Sequence, residues 1–302
     1  MNSDPRLYNG CISGMLDTAE YFKEKSNRLA LIFDGSLLLH DYCRQLFACG
    51  SYLSFARDAG GGVKLTKANF CRLRWCPMCQ WRRSRRLACK LSDLWDSLRS
   101  SGFEFLHMVV TVRNCSGDDL PGTLDRMQIA YRHMMKDSAL RGWSGAMRFT
   151  EVTYSKSTNT FHPHFHSLVV VRSSYFHSRS YVSTDRLRAC WQAHMELDYL
   201  PQVYITKADA QAINEVAKYC VKPFEFEHSD PDAERKIYEE LYTALSQRRL
   251  YQSFGVVREA AQSLGTLDDS EDSGEASGLS DYSFVYNYLE RSYALQVLED
   301  PA

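Results

Sequence analysis

The amino-acid sequence predicts an α+β fold in which helices pack on an antiparallel β-sheet. Short runs rich in apolar and β-branched residues alternate with segments of helical periodicity, and two of these runs are separated only by a polar turn, as in a hairpin. The chain also lacks the glycine-rich phosphate loop of doubly wound α/β folds. Its composition, 44% hydrophobic and 24% charged, is ordinary for a globular protein and excludes a fibrous or wholly disordered chain.

Periodicity places the elements along the 302 residues. The predicted strands are residues 103–112, 146–154 and 161–171, the last two joined by the turn 155–160. The predicted helices are residues 1–48, 123–139, 184–197, 208–222 and 232–250. A tract of Ser, Gly, Asp and Glu at 266–281 has the composition of a disordered linker. The aromatic stretch that follows it, 282–298, is interpreted as one short helix.

Charge is distributed unevenly, although the formal net charge is only −1. Residues 266–302 contain nine acidic residues and one basic residue, which leaves 35 basic and 28 acidic residues, a net charge of +7, over residues 1–265. A basic body with an acidic tail suggests an anionic partner for the body. A solvated basic surface explains the same charge equally well.

The sequence carries no signal for a membrane or for secretion. Its longest apolar runs span three or four residues, whereas a membrane-spanning helix needs about 20. The first residues, MNSDPR, lack the basic and apolar regions of a secretory signal. We therefore expect an intracellular protein with no membrane partner, in which the ten cysteines serve as metal ligands or buried thiols rather than disulfides.

Four cysteines lie close together, with the spacing Cys49-x21-Cys71-x4-Cys76-x2-Cys79. The Cys-x2-Cys knuckle points two thiolates at one ion, and the two more distant cysteines complete a closed tetrahedral zinc site. Buried thiols without a metal are the alternative. The spacing also leaves His40 and Cys43 as alternatives to Cys49 for the fourth ligand.

The segment 71–90 carries seven basic residues and no acidic residue, with Trp75 and Trp81 between them. Basic side chains contact phosphates and aromatic rings stack on bases, so the segment favours nucleic-acid binding. A solvated helix face is the alternative. The predicted DNA-binding residues are Arg72, Arg74, Arg82, Arg83, Arg85 and Arg86.

Three histidines alternate along the last predicted strand, in the run Phe161-His162-Pro163-His164-Phe165-His166. Alternate strand residues share a face, so His162, His164 and His166 point the same way. The hairpin turn brings Glu151 roughly opposite residues 164–166, and cross-strand neighbours lie about 5 Å apart at Cβ. Imidazoles and a carboxylate with open positions suit Mg²⁺ or Mn²⁺ acting on a phosphate. In the alternative, Glu151 is an ordinary surface residue.

The predicted helix 208–222 carries polar side chains beside its apolar face. Glu215, Tyr219 and Lys222 fall on one stripe, which Lys218 flanks. The ordinary pKa of tyrosine is about 10, and neighbouring ammonium groups favour the phenolate that a nucleophile needs. The alternatives are that Tyr219 is a core residue and that Glu215 forms a surface ion pair with one of the lysines.

Together these residues resemble the HUH endonucleases, and most closely the rolling-circle plasmid replication initiators with a single catalytic tyrosine. The resemblance covers about residues 45–260 and preserves the order and approximate spacing of its motifs. The matching segments are 49–53 with 68–83, 105–112, 151–153 with 161–166, and 215–222. Within 105–112 the family pattern is richer in threonine, whereas this chain has His107 and Met108, so we assign no catalytic role to that strand.

The resemblance implies metal-dependent nicking of one DNA strand at an origin. The tyrosine matching Tyr219 attacks the scissile phosphate and stays linked to the 5′ end, and the free 3′-OH primes the host polymerase. The glutamate matching Glu215 activates a water for the terminating cleavage. The implied partners are origin DNA, as duplex and as single strand, with the host helicase and polymerase, and the implied location is the cytoplasm of a prokaryotic cell. A homo-oligomer is left open.

The predicted organisation therefore has four segments. They are an N-terminal helical region at 1–48, a zinc-binding basic segment at 49–95, the HUH endonuclease core at 96–265, and an acidic linker and tail at 266–302. A related HUH transposase or relaxase would share the chemistry. A non-catalytic, zinc-stabilised DNA-binding regulator would explain residues 49–90, but not the coincidence of Glu151, the histidines and Tyr219.

Overall fold

The predicted α+β class is confirmed by the computed structural model, which describes residues 10–57, 63–208, 230–263 and 282–296. Over these residues the chain forms seven α-helices and nine strands, arranged in two antiparallel sheets. It divides into two compact units. The cysteine unit contains residues 10–83, 230–235 and 282–296 of the described chain, and the histidine unit contains 84–208 and 236–263. The four segments predicted from the sequence stay a prediction.

The cysteine unit is built from the two ends of the chain. Its helices are α1 (Gly10–Asp34), a 3₁₀ turn (His40–Tyr42), α2 (Cys43–Ala48) and the start of α3 (Pro77–Ser100). Its strands are β1 (Tyr52–Arg57), β2 (Val63–Ala68), β8 (Tyr282–Asn287) and β9 (Ser292–Gln296), in the sheet order β2-β1-β8-β9. The buried residues of helix α1 recur at about every third or fourth position, so they lie on one face of the helix. They are Leu16, Ala19, Lys23, Ser26, Leu29, Ala30, Ile32 and Phe33.

The interpretation of residues 282–298 as a helix is wrong, because 282–296 form the β8–β9 hairpin. Strand β8 pairs with β1, and Leu53 lies opposite Phe284. The aromatic and β-branched residues of this stretch favour a half-buried strand, since they pack well on a pleated surface. In strand β8, Ser283, Phe284 and Tyr286 are buried, Val285 is exposed, and the two ends, Tyr282 and Asn287, are half-buried. The strands β1 and β2, which the sequence analysis left without an assignment, complete the same sheet.

The histidine unit holds a five-stranded sheet in the order β6-β3-β5-β4-β7. Its strands are β3 (Phe103–Thr111), β4 (Trp143–Ser155), β5 (Thr160–Arg172), β6 (Val203–Lys207) and β7 (Tyr251–Gly255). Its helices are the remainder of α3, α4 (Leu120–Met134), α5 (Thr184–Met195), most of α6 (Pro231–Leu245) and α7 (Val256–Ser263), with 3₁₀ turns at Ser138–Leu140 and Ser173–His177. The predicted hairpin and the helices at 123–139, 184–197 and 232–250 are confirmed. The predicted helix 208–222 and the linker 266–281 lie outside the described residues, apart from Ala208.

Helices cover both faces of this sheet. On one face, α4 and α5 pack on alternate residues of β3 and β5, among them Met108, Val110 and Phe165. On the other face, the apolar side of α3 packs on Phe105 and Leu168, where Trp95 and Phe105 stack with ring centroids 3.7 Å apart. Because both faces are buried, strand β5 reads as an almost continuous apolar run beyond its histidines. Among the helices that the structure describes, none is both long enough and apolar enough to cross a membrane.

Phe284 tests whether the C-terminal hairpin belongs to the core of the cysteine unit. Its side chain is 2% exposed and meets the Phe55 ring edge-to-face at 5.9 Å. We expect Phe284→Ala to lower the free energy of unfolding by about 3–5 kcal/mol, because it removes a buried ring and leaves a cavity. The control is Val285→Ala on the same strand, which is 42% exposed and should cost about 0.5 kcal/mol or less. Equal losses for the two variants in urea denaturation would show that the hairpin is not packed.

Candidate functional site

Glu151, His164 and His166 converge on one face of the histidine unit's sheet. The antiparallel register of β4 and β5 places Glu151 directly opposite His164, as the hairpin turn predicts. The Nε2 atoms of His164 and His166 lie 2.5 and 2.9 Å from the same oxygen, Oε2 of Glu151. All three residues are buried. One carboxylate oxygen and two imidazole nitrogens therefore form a group able to hold a metal ion.

The charge of this group suits a cation. Burial raises the pKa of Glu151, but the hydrogen bonds from His164 and His166 outweigh burial and hold the pKa at about 2. The carboxylate is therefore ionised at neutral pH, as a metal ligand must be.

A contact to Nδ1 holds each of the two histidine rings in its orientation. Nδ1 of His164 lies 3.1 Å from the carbonyl oxygen of His162, and Nδ1 of His166 lies 3.3 Å from Nε2 of His107. A metal-binding histidine usually donates its second ring N–H to such an acceptor, which fixes the tautomer that leaves Nε2 for the ion. This is the geometry observed here, with both Nε2 atoms turned toward Glu151.

Two further histidines, His162 and His107, lie beside this group. The ring of His162 was predicted to join the metal group, but its nitrogens are not part of the converging set, and His162 contributes its carbonyl oxygen. His107 was given no role, yet its ring stacks beside that of His166 with centroids 5.6 Å apart. The only sequence signal for His107 was its departure from the threonine-rich family pattern, because the contact depends on the register between β3 and β5.

A tyrosine lies on the same sheet face, two strands from His166. Tyr204 of β6 is paired with Val109, which in turn is paired with His166. Its ring meets that of His107 edge-to-face at 6.0 Å, and 53% of the residue is exposed. The predicted catalytic residues Glu215, Lys218, Tyr219 and Lys222 lie outside the described residues. Their roles stay predictions, and Tyr204 is a second tyrosine to test.

In the cysteine unit, Cys49, Cys71, Cys76 and Cys79 form the predicted tetrad. The Sγ of Cys49 lies 3.5 Å from that of Cys79 and 3.4 Å from that of Cys76, and the Sγ atoms of Cys71 and Cys79 are 3.6 Å apart. Zn–S bonds of about 2.3 Å in a tetrahedron place sulfurs about 3.8 Å apart, so the tetrad has nearly the size of a zinc site. Cys49 therefore occupies the fourth position.

The alternative fourth ligands do not reach the tetrad. His40 and Cys43 form a separate group with Asp34 on the turn after α1. The backbone instead supports the thiolates, because the amides of Cys71 and Arg72 donate to the Sγ atoms of Cys49 and Cys79 at 3.4 and 3.2 Å. Arg72 takes a left-handed φ of 61° to place its amide there.

A buried lysine faces the tetrad. Lys23 of α1 is 0% exposed, and its ammonium group donates to the carbonyl oxygen of Phe47 and lies 5.5 and 5.2 Å from the ring centroids of Tyr286 and Tyr288. Burial lowers its pKa to about 8, and the negative charge of the cysteine thiolates opposes this shift. Four thiolates around a divalent zinc ion carry a net charge of −2, and a buried ammonium group fits beside such a centre. The donor set and this cation together match zinc.

The basic residues of segment 71–90 divide into two kinds. Arg72, Arg85 and Arg86 are exposed, whereas Arg74, Arg82 and Arg83 are half-buried. The guanidinium of Arg83 donates to the carbonyl oxygens of Arg72 and Leu73 and so supports the cysteine loop. The guanidinium of Arg82 lies 4.5 Å from the centroid of the Phe70 ring.

The two tryptophans of this segment pack inside the protein. Trp75 is only 7% exposed, and Trp81 stacks on Phe22 of α1 with centroids 5.7 Å apart. The expectation that Trp75 stacks on bases is therefore wrong, because its ring is part of the core of the cysteine unit.

The combination of sheet, histidine group and basic segment is that expected of a DNA-replication protein. A family model described as replication protein, Rep_1, matches residues 62–293, and the chain belongs to this family. The family assignment agrees with the resemblance to rolling-circle plasmid replication initiators.

Relatives of similar length support this assignment. A "Protein rep" of Streptococcus pneumoniae is 29% identical over 298 residues, covering 92% of this chain and 88% of the relative. A "Protein rep" of a Bacillus species is 32% identical over 253 residues, covering 76% and 82%. One of Bacillus amyloliquefaciens is 30% identical over 278 residues, covering 84% and 80%. No solved structure matches the chain.

Lys23 tests the charge of the cysteine tetrad. We expect Lys23→Met to speed zinc loss to a chromogenic chelator by about tenfold or more, since losing a supporting interaction around a metal site usually costs that much affinity. The control is Lys25→Met on the same helix, whose ammonium group lies over the Tyr21 ring instead. If Lys23→Met released zinc at the wild-type rate, this lysine would have no influence on the tetrad.

Proposed function

We propose that this plasmid replication initiator nicks one DNA strand at its origin, using a divalent metal ion and a tyrosine nucleophile. The observation that supports the proposal is the buried group of Glu151, His164 and His166 on the central sheet of a replication protein. A protein that only binds DNA has no need of such a group. The family of replication proteins favours an initiator over a related transposase or relaxase.

The ligand set fits Mg²⁺ or Mn²⁺ better than a closed zinc site, because it contains a carboxylate and two imidazoles and no thiolate. When bound, the ion supplies Lewis-acid stabilisation of the charge that develops on the scissile phosphate. The protein's part is to keep Glu151 ionised and to hold both Nε2 atoms toward it. His107 and the carbonyl oxygen of His162 do the second of these.

The proposed nucleophile is Tyr219. Its phenolic oxygen bonds to phosphorus while the bond from phosphorus to the 3′ oxygen breaks, and the phenolic proton balances the departing 3′-OH. Lys218 and Lys222 would favour the phenolate. Glu215 would then accept a proton from the water that ends the reaction. The products are a 5′-phosphotyrosyl link and a 3′-OH primer for the host polymerase.

Origin DNA would be held by the basic segment. The exposed Arg72, Arg85 and Arg86 are the side chains best placed to contact phosphates. Arg83 would act indirectly, since it supports the cysteine loop through two carbonyl oxygens. Zinc at the tetrad would keep this segment folded.

The proposed metal group predicts which substitutions reduce nicking while leaving DNA binding intact. With Mg²⁺ or Mn²⁺ the protein should nick supercoiled origin DNA, and His166→Ala or Glu151→Gln should reduce nicking by about a hundredfold or more, because charge stabilisation at the phosphate is lost. Binding to origin duplex in gel shifts should stay near the wild-type level. His162→Ala is the matched control on the same strand, since it keeps the carbonyl oxygen that His164 uses. Full nicking in excess chelator would contradict the metal mechanism.

The nucleophile is tested by trapping the covalent adduct. We expect Tyr219→Phe to abolish both nicking and the DNA adduct, because only the hydroxyl is removed. Tyr204→Phe is the control, as it removes the exposed tyrosine nearest to the histidines among the described residues. Mass spectrometry of the phosphotyrosyl peptide assigns the residue, and an adduct on Tyr204 or Tyr199 would replace Tyr219 as the nucleophile.

A further inference from the structure

A second mixed group of ligand atoms lies in the histidine unit, at the helices that cover the other face of its sheet. It consists of Asp137, Cys190 and His194, whose carboxylate oxygen, Sγ and ring nitrogen all lie within 4.8 Å of one another. Nε2 of His194 is 2.9 Å from Oδ2 of Asp137. Cys190 packs into the apolar core between α4 and α5.

The fold holds these three side chains in place. Cys190 and His194 are one turn apart on α5, so they lie on the same face of the helix. Asp137 caps the 3₁₀ turn after α4, where its Oδ1 accepts from the amide of Ala139 at 2.7 Å, and this leaves Oδ2 for His194. Helix α5 is fixed by the buried Trp191, whose indole N–H donates to the carbonyl oxygen of Thr111 at 2.9 Å.

We propose that Asp137, Cys190 and His194 bind one divalent transition-metal ion of the zinc class. A thiolate, an imidazole and a carboxylate form a donor set typical of Zn²⁺, whereas Mg²⁺ and Ca²⁺ avoid thiolates. The side chains of His194 and Asp137 are 23% and 30% exposed, so an ion can reach the group. Three protein ligands leave one tetrahedral position for water.

The ion would connect two parts of the unit that are 53 to 57 residues apart in the chain. Asp137 lies in the connection from α4 to β4, and the other two ligands lie on α5. Binding to the folded state alone would stabilise this contact. The site is independent of the nicking mechanism, because none of its residues lies in the group around Glu151.

Cobalt(II) distinguishes this site from the group around Glu151 directly, and cysteine variants distinguish it from the tetrad and from the group of Asp34, His40 and Cys43. A thiolate bound to Co²⁺ gives a near-ultraviolet charge-transfer band, and the Glu151 group has no thiolate. We would titrate Co²⁺ into the full-length protein with zinc already in the cysteine tetrad. We expect one equivalent of Co²⁺ to give the band of a single thiolate, and zinc to displace it.

Variants assign the band. Cys190→Ser should abolish it, and His194→Gln, which keeps a hydrogen bond to Asp137, should weaken Co²⁺ binding at least tenfold. Cys89→Ser, which removes an exposed thiol of α3, should bind as the wild type does.

A wild-type protein without the band would overturn the proposal, leaving Asp137, Cys190 and His194 as a hydrogen-bonded cluster. A band that survives Cys190→Ser would also overturn it, since cobalt would then be bound by another thiolate, in the tetrad if Cys76→Ser removes the band or beside Asp34 and His40 if Cys43→Ser removes it. Circular dichroism of each variant verifies the fold.

Discussion

The register of the β4–β5 hairpin is the constraint on which the candidate reaction site depends. Strand residues alternate between faces, so a slip of one residue would turn His164 and His166 toward α4 and place Phe165 among the metal ligands. The burial of Phe165, Val169 and Val171 against α4 and α5 opposes such a slip. The same apolar packing that stabilises the sheet therefore also sets the distance between Glu151 and the two imidazoles. The core packing of the sheet is therefore enough to position the three side chains of the candidate site.

The cysteine unit depends instead on the pairing of buried charges of opposite sign. Its tetrad draws on residues from 49 to 79, its buried ammonium group comes from α1, and the rings against that ammonium group come from the C-terminal hairpin. A buried lysine is costly unless an opposite charge lies nearby. The thiolates supply that charge, so the N-terminal helix and the C-terminal strands are stabilised by the same group that holds the cysteine loop. This explains why residues 10–34 and 282–296, which match no motif, belong to the unit.

The parts of the structure that were predicted are those decided by local pattern. The β4–β5 hairpin follows from alternation and a polar turn, and the pairing of Glu151 with His164 follows from the length of that turn. The four cysteines follow from ligand chemistry, although the spacing alone could not choose Cys49 over His40 or Cys43. By contrast, the contact between His107 and His166 needs the register of β3 on β5, which are separated by 48 residues along the chain between Thr111 and Thr160. Strands as short as β1 and β6 contain too few residues to show a period. The helix predicted over 282–298 was wrong because an aromatic run as short as β8 suits a strand or a helix.

The donor atoms explain how one chain can hold different ions for different tasks. Four thiolates, supported by backbone amides, form a closed set that favours zinc and leaves no position for a substrate. Glu151 with two imidazoles leaves positions open and contains no soft ligand, a set that suits a hard ion together with a phosphate oxygen. The ion that each group selects therefore depends on the side chains that the local structure brings together. In the cysteine unit they come from a Cys-x2-Cys knuckle and a loop, and in the histidine unit they come from two paired strands. Under the proposed function this separation is useful, because an ion bound in the closed tetrad would not be exposed to the exchange that a reaction site requires.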